Sequence, residues 1–487
     1  MRYCRIIIFI WVLMGINPIY AAPDPVSQPQ FLTLQDAIWL GLRYNPEVRN
    51  AEIARVLDKF NLRLAQNQFE VQYALTGKAN FTDTVSSGNR SGSYSASLTP
   101  SASINTTWGG NISVTSNNPL SHPVTGDGRT TYNPGVTITA TQPLLQGFGP
   151  DITLIPLHNA WDAEYIARLN LKDTVIGTIT TIIKLYAAVV QAQTTLTTQQ
   201  AALEAAQATL KKYQALVKVG RNAPADLVQF EGTVASSQLN IQQAEISLQQ
   251  AQLTLLNTLG LDPNMPLAPL TKLTMPSRKI PTLAESVEIA LQHNIGYQQA
   301  LIGMRKTRRA VRSAEDQQRW QLNLTVSQVQ GGGNGGNTNA GLKSITNEKN
   351  HITTVGLALT VPIDNLSVKG KLVSAKVALQ QAEINLAAKK RGLIQQVTSG
   401  YYTVLNAQQQ LGKSQEVIDR AADSLRIAQK KLEFGRTTPF EVNTLQNNLT
   451  TAQVAYIGTE NNYITSIASF DQLLGVTLDR WSVRLAY

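Results

Sequence analysis

Few residues in this 487-residue chain have the types and spacing that bond-making chemistry needs. The four histidines, His122, His158, His293 and His351, stand far apart, in no HExxH spacing and beside no cluster of carboxylates. Neither a zinc site nor a positioned general base is assembled by such a pattern. No nucleophile elbow is present. The glycine-rich run from Gly331 to Asn339 lacks the Lys and the Ser or Thr of a phosphate-binding loop and follows no buried strand. Arg305, Lys306, Arg308, Arg309 and Arg312 form the densest basic run, but no aromatic residue is interleaved to stack a base. That excludes a nucleic-acid partner and leaves a solvated helix face or a face toward anionic lipid. What remains is a pair of acidic residues at matched places. Asp226 and Glu441 each lie two residues after a proline, Pro224 and Pro439, which in turn follow Gly220-Arg221 and Gly435-Arg436. Thr438, Pro439, Phe440 and Glu441 have the order of a capping box with Pro at the first helical position, and Asp226 suits a helix N-terminus electrostatically.

The composition also argues against a catalytic globule. Aromatic residues make up 6% of the chain and charged residues 15%, with 43% hydrophobic. A water-soluble enzyme core is ordinarily better stocked and its surface more charged. A mean hydropathy of -0.12, with no long apolar run after the first twenty residues, excludes a bundle of transmembrane helices. Arg2 and Arg5 precede the apolar stretch Ile6 to Ile16, and Ala21 and Ala22 close it, so residues 1–22 are predicted to be a secretory signal peptide. Its removal takes the formal charge from +10 to +8 and removes Cys4, the only cysteine. The remaining chain then has no thiol for a disulfide, a thiolate metal site or a cysteine nucleophile. No metal or cofactor is expected.

The elements that position Asp226 and Glu441 come in two sets. Thr33, Leu34, Asp36, Ile38, Leu42 and Asn45 recur 249 positions later as Thr282, Leu283, Glu285, Val287, Leu291 and Asn294, each set opening a helix with Thr as N-cap. A second correspondence, at 215, joins Tyr186 to Tyr401, Gly220 to Gly435, Arg221 to Arg436, Pro224 to Pro439, Asp226 to Glu441, and Leu259-Gly260 to Leu474-Gly475. The chain is therefore a tandem duplication. Residues 23–260 are predicted as the first repeat, with strands at 71–142 and a long helical hairpin at 151–260. Residues 261–487 are the second, with strands at 321–361, a hairpin at 366–475 and a C-terminal tail.

Within the hairpins the apolar residues keep a period of seven. Val175, Ile182, Val189, Leu196, Leu203, Leu210 and Val217 are matched by Val397, Val404, Leu411, Ile418, Leu425 and Leu432. Beyond the Gly and Pro breaks the returning helices read Leu227, Val234, Ile241, Leu248, Leu255 and Val442, Leu449, Tyr456, Tyr463, Phe470. A strict seven-residue repeat implies left-handed coiled-coil packing, and the short breaks imply antiparallel hairpins. One narrow stripe cannot close a core by itself, so two hairpins per chain point to a symmetric homo-oligomer.

Between the hairpins the period falls to two. Val71, Tyr73, Leu75, Ala79, Phe81 and Val85 alternate with polar residues, as do Tyr94, Ala96, Leu98, Ala102, Ile104 and Trp108. Val136, Ile138 and Ala140 continue the pattern, and Leu322, Leu324, Val326, Val355, Leu357, Leu359 and Val361 repeat it in the second half. A soluble sandwich uses the same alternation. The signal peptide and the Gly, Asn and Ser loops favour a barrel with lipid outside and water inside, the run at Gly331 being an extracellular turn. Too few strands are present to close a wide barrel within one chain, so the barrel must be shared.

This order of elements, with a Gly-to-Pro tip in each half and the segment Gln142-Pro143-Leu144-Leu145-Gln146-Gly147-Phe148-Gly149 between strand and long helix, resembles the TolC-like outer membrane efflux proteins. The fold it implies is mainly α with a β-barrel part: long antiparallel coiled-coil helices forming a periplasmic α-barrel, and strands of a trimer-shared outer-membrane β-barrel. The function implied is a passive, non-enzymatic export duct of a tripartite efflux or type I secretion system. Its partners would be two further copies, outer-membrane lipid, a periplasmic adaptor and an inner-membrane transporter. By the same resemblance, Glu441, Asp226 and Thr444 are candidates for the periplasmic gate. Thr444 stands where the family usually has a second acidic residue. Gly220, Arg221, Pro224, Gly435, Arg436 and Pro439 are candidates for the adaptor-docking tips. The stretch Tyr94 to Ser116 exceeds two strands per half, and is either an extra hairpin or an extracellular excursion. A secreted coiled-coil adhesin or scaffold without a pore would keep the heptads but gives no reason for lipid-facing alternation.

Overall fold

The computed structural model describes residues 30–87, 89–124, 128–218, 225–265, 267–269, 280–331, 343, 345–346 and 351–485. The segment read as a signal peptide lies outside the described residues, as does nearly all of the Gly331 to Asn339 run. Strand β1 (Gln30–Leu32) leads into α1 (Leu34–Tyr44) and α2 (Pro46–Asn67). Six strands follow: β2 (Gln72–Ser86), β3 (Asn89–Asn105), β4 (Asn111–Asn117), β5 (Pro119–Pro123), β6 (Thr131–Tyr132) and β7 (Gly135–Pro143). The short α3 (Pro150–Thr153) and the long hairpin α4 (Ile155–Lys218) and α5 (Ala225–Leu259) complete the first half. The second half has β8 (Leu267–Pro269), α6 (Leu283–His293), α7 (Ile295–Asp316), β9 (Gln321–Gly331), β10 (His351–Thr360), α8 (Leu366–Glu433), α9 (Pro439–Leu474) and α10 (Thr477–Arg480).

The duplication is visible in hydrogen bonds. Thr33 and Thr282 each form a reciprocal capping box, with Asp36 and Glu285. Asn45 and Asn294 end the first short helix of their halves and cap the next. Each also donates its side-chain amide to the end of the returning helix, Asn45 to the Thr258 carbonyl at 2.7 Å and Asn294 to the Leu473 carbonyl at 3.0 Å. Gly260 and Gly475, with φ of +72° and +75°, turn the chain there. An added Cβ would come within 2.5 Å of the Tyr44 carbonyl oxygen at Gly260 and 2.6 Å of the His293 carbonyl oxygen at Gly475.

The core lies where these short helices cross the long ones. Ala37, Ile38, Val175, Ile179, Ile182, Ile183, Tyr186 and Leu255 form the larger cluster, and Ala290, Leu393, Val397, Val404, Phe470 and Leu474 the smaller. Tyr186 also satisfies its hydroxyl there, donating to the Leu32 carbonyl at 2.9 Å. One 18-residue window of α4 reaches a mean hydropathy of 1.6, and 61% of it is buried. The expectation that no apolar run follows residue 20 is thereby corrected. This stretch is apolar because α1, α5 and α9 surround it, and it is the helix of a packed core.

Farther along the hairpins the seam alternates large with small. In α5 the heptad residues are followed three places on by Phe230, Ser237 and Ala244, all buried, and in α8 by Ala407 and Ala428. The small residues among them, Ser237, Ala244, Ala407 and Ala428, let the helices approach closely. Tyr213 and Phe230 stack at 4.4 Å between ring centres and fill the hairpin nearer its tip. Threonines of α4, buried or half-buried, satisfy themselves: Thr180, Thr194 and Thr209 each donate to the carbonyl four residues back, at 2.9, 2.8 and 2.8 Å. A helix of about 96 Å at 1.5 Å per residue is built this way with few charges.

We predict that Gly260→Ala lowers the thermal midpoint, because an L-residue in the left-handed region costs about 1–2 kcal/mol before any clash with Tyr44 is counted. Gly412→Ala, in helix α8 with open space around it, should instead gain up to about 1 kcal/mol. Melts of the two variants followed by helical circular dichroism should shift in opposite directions.

Candidate functional site

The main sheet is antiparallel throughout. β2 pairs β3; β3 pairs β4 over residues 101–105 and β5 over 93–97; β4 pairs β7; β5 pairs β6; β7 pairs β9; and β9 pairs β10. Asn118 bridges the break between β4 and β5 by donating to the Leu98 carbonyl at 2.9 Å, and the Asn133 amide reaches the Pro119 carbonyl at 3.2 Å beside the break between β6 and β7. The sheet is therefore six strands wide. The first half supplies four of them, so the extra stretch Tyr94 to Ser116 is an inserted hairpin within the sheet. Trp108, expected to continue a strand, sits instead in the turn at its base.

Register places the apolar residues on one face. Phe81 is opposite Tyr94, Ala102 opposite Val114, Val114 opposite Ile138, Ala140 opposite Val326, and Val326 opposite Val355. Tyr73, Leu75, Phe81, Leu98, Val114, Ile138, Val355 and Leu357 are all exposed. The other face carries Thr76, Ser97, Ser101, Thr115, Thr139, Ser327 and Thr354, with Lys78. Tyr73 and Phe81 stand about 20 Å apart along the axis of a barrel whose strands tilt by about 40°, and the Phe81 and Tyr94 ring centres are 4.8 Å apart. An apolar band between aromatic positions on one face, with hydroxyls on the other, matches lipid on one side and water on the other.

Among the described residues β2 pairs only with β3 and β10 only with β9, so each has one unpaired side, and nearly every residue of each is exposed. The helices below end in the same way. Arg55 of α2 bonds Glu164 of α4 at 2.5 Å, Arg309 of α7 bonds Asp162 of α4, and Gln318 at the end of α7 donates to the Val368 carbonyl of α8 at 2.8 Å. The order across this layer is α2, α4, α7, α8. Its two outer helices expose apolar stripes, Ile53, Val56, Leu57, Phe60 and Leu64 on α2, and Leu366, Val373, Val377 and Ile384 on α8. Neither stripe was singled out in the sequence, although the spacing of 53, 57, 60 and 64 is that of one helix face. Of the basic run on α7, Arg305 and Arg309 are tied to Asp162, so the run is only in part a solvated face.

Arg55 and Glu164 are both buried. Burial pushes the Glu164 carboxyl up, but hydrogen bonds from Arg168 and Arg55, with their charges, outweigh it and hold its pKa below the ordinary carboxylate value.

At the second tip, Gly435 has φ +68°, its amide donates to the Leu432 carbonyl at 3.0 Å, and the Arg436 amide reaches the Lys431 carbonyl at 2.8 Å. These are the two bonds of a Schellman ending. Pro439 opens the returning helix, capped by Thr438, whose hydroxyl accepts from the Glu441 amide at 3.3 Å. The full capping box does not form, because the Glu441 carboxylate accepts instead from the Thr437 hydroxyl. Thr444 donates back to the Phe440 carbonyl at 2.9 Å. Gly220, Arg221 and Pro224 lie outside the described residues; Asp226 is the second residue of α5, and its side chain also lies outside them. Among the described residues no group of three His, Cys, Asp or Glu side chains comes together.

Residues 287–476 match the family model described as outer membrane efflux protein. No curated protein matches the sequence. Solved structures share the fold at low identity. The open state of the MtrE outer membrane channel of Neisseria gonorrhoeae is 16% identical, with 92% of this chain and 90% of that one covered and a TM-score of 0.65. The outer membrane protein VceC of Vibrio cholerae is 15% identical, with 91% and 96% covered and a TM-score of 0.67. The CmeC outer membrane channel of Campylobacter jejuni is 13% identical, with 91% and 86% covered and a TM-score of 0.66. Long duplicated helices joined to an unclosed sheet are thus a fold that occurs in outer membrane channels.

Replacing Glu164 by Gln should cost about 3–5 kcal/mol near neutral pH, because Arg55 is left charged and buried. The pKa of Glu164 is depressed on folding, so its stabilisation is complete above the unfolded value of about 4 and is lost as pH falls through the folded value. Melting wild type and the Gln variant side by side should give a gap that is wide at neutral pH and narrows below the ordinary carboxylate range.

Proposed function

We propose, on the premise that the chain belongs to the outer membrane efflux protein family whose model its residues 287–476 match, that it is a passive outer-membrane export duct, non-catalytic and closed only as a ring of copies. The observation that carries this reading is that sheet and helical layer are open on the same two sides. β2 and α2 form one edge, β10 and α8 the other. Two different edges of one chain make a heterologous contact, and repeated heterologous contact closes into a ring. Lipid facing Leu75, Leu98 and Leu357, and water facing the hydroxyl side, put the strands in the outer membrane and the helices in the periplasm.

The family implies three copies, with an adaptor protein and an energised inner-membrane transporter at the helical tips. On this reading the Gly435-Arg436 turn and its equivalent at Gly220-Arg221, with Pro224 and Pro439 behind them, present the docking surface. Glu441, Asp226 and Thr444 line the narrow end. Three copies of Glu441 concentrate negative potential there and favour cations over anions. Thr444, already bonded to its own helix, adds no charge.

The experiment is the mass of the purified protein in detergent. Wild type should be a trimer, and Phe60→Asp, a charge in the middle of the exposed α2 stripe, should release monomers; a wild-type monomer overturns the duct. In planar bilayers, multivalent cations added on the periplasmic side should block the wild-type pore, and Glu441→Gln should weaken the block several-fold. Equal block in both leaves Glu441 as a helix-start residue alone.

A further inference from the structure

Four strands of the wall run on into helices: β2 from α2, β7 into α4, β9 from α7 and β10 into α8. For three of the four the order above matches the order below. β7 lies beside β9 as α4 lies beside α7, and β9 lies beside β10 as α7 lies beside α8. The correspondence fails at one place. α2 and α4 touch through Arg55 and Glu164, yet β2 and β7 are separated by β3 and by the interrupted strand β4–β5. Two intervening strands put them about 14 Å apart at the usual spacing of about 4.8 Å.

The base of this hairpin continues into no helix and is held between the two it separates. On one flank Asn105 donates to the Gln68 carbonyl at the end of α2, at 3.1 Å. On the other, the Trp108 carbonyl accepts from the Gln142 side chain at 3.0 Å and from the Gly149 amide at 3.2 Å. Trp108 also meets Phe148 with ring centres 5.8 Å apart. Gly109, at φ +91°, lies so near Gly147 that a Cβ would be 2.2 Å from the Gly147 carbonyl oxygen. The Gly147 amide is held from behind by Asp316 of α7 at 2.7 Å. Above the base, Leu98, Ile112, Val114 and Leu120 share the apolar face of β2 and β7, in the same phase and equally exposed. An excursion into water has no reason to keep that phase.

We infer that β3 and β4–β5 are a wedge in the wall of the barrel, seated on the Gln142 to Gly149 joint, which makes the outer-membrane pore wider than the helical duct beneath it. The inference rests on the duct reading. Six strands from each of three copies close an eighteen-stranded barrel, about 36 Å across its backbone at a tilt of about 40°. The four helix-linked strands alone would give about 24 Å. A barrel of that size, lined by Ser and Thr with Lys78 as the one charged residue of the described lumen face, is a vestibule that selects little. Selection falls to the helical end.

The test begins with the full chain carrying Cys4→Ser, whose mass in detergent is measured first; a monomer overturns the duct reading and the inference with it. In the trimer reconstituted in planar bilayers, neutral polymers of graded size are added from the extracellular side. Deleting residues 88–130, which joins Ser87 to Thr131 and leaves β2 to pair with β7, should shrink the largest polymer radius admitted by at least about 1.5-fold. Equal limits overturn the inference alone. Where the deletion does not insert, single cysteines in the full chain decide. Thr99→Cys should react in liposomes with a water-soluble maleimide, and Leu98→Cys should react only after detergent is added. Ready reaction at both would make the hairpin an extracellular excursion and overturn the wedge.

Discussion

A strand at the side of a sheet carries a row of backbone amides and carbonyls that must be paired, and in a bilayer there is no water to do it. That requirement governs the rest of this molecule. β2 and β10 each present such a row, and the apolar face between them is coated with Leu, Ile, Val, Phe and Tyr that a water-soluble protein would cover. Curled on itself, the sheet would pair β2 with β10 but press its Ser and Thr face into an interior too narrow for water. On the proposed reading, closure by further copies satisfies every edge at once and also covers the stripes on α2 and α8, the helices that adjoin the unpaired strands. Separate defects of sheet and helix layer thus share one remedy.

The long helices follow a different rule. On the duct reading they stay straight over about 96 Å beside water, which a fully apolar surface does not suit. The sequence meets this with apolar heptads facing small residues and with threonines bonded to their own backbone. Gln and Asn join helices where charge is absent, as Asn461 joins Gln191 at 2.5 Å and Asn443 joins Thr233 at 3.1 Å. Ion pairs that join separate helices gather in the layer under the sheet. There Arg55, Glu164 and Arg168, and Asp162 with Arg305 and Arg309, fix the order of α2, α4 and α7. A buried ion pair adds little net stability but penalises every arrangement that separates it, which suits a wall whose neighbours must come in one order.

Much of this was legible in the sequence because it is periodic. The heptads gave the hairpins, the alternation gave the faces of the strands, and Thr33 and Thr282 marked helix starts by chemistry that acts within a few residues. What was not legible depends on distant partners. The capping box expected at Thr438 and Glu441 formed only on the threonine side, since the Thr437 hydroxyl competes for the carboxylate and no local rule ranks the two. Trp108 continued an alternating pattern and so passed for a strand residue, although its position is set by Gln142 and Gly149, more than thirty residues away. The apolar window in α4 became intelligible only once α1, α5 and α9 were seen around it. Asp226 and Glu441 stand out by their matched places in the two halves, and on the proposed reading they meet only across copies of the chain, which no spacing within one chain encodes.

The inserted hairpin shows how such a wall can change one layer while leaving another alone. Strands and helices in a closed ring are coupled by number: where each strand continues one helix, the circumference of the sheet is tied to that of the helical layer. Breaking the coupling needs strands that end without becoming helices, and their turns must then find partners for their backbone groups at the junction. The Gln142 to Gly149 segment supplies those partners. Its glutamine side chain and the Gly149 amide take the Trp108 carbonyl, its phenylalanine meets the indole, Gly147 and Gly149 turn the chain at φ +79° and +97°, and Gly109 makes the close approach, since a Cβ there would be 2.2 Å from the Gly147 carbonyl oxygen. Because Asp316 holds the same joint from the far side, the hairpin is registered against α7 as well as α4. Added width in the membrane therefore leaves the order of helices below unchanged, and the heptads of the duct need no adjustment to accommodate it.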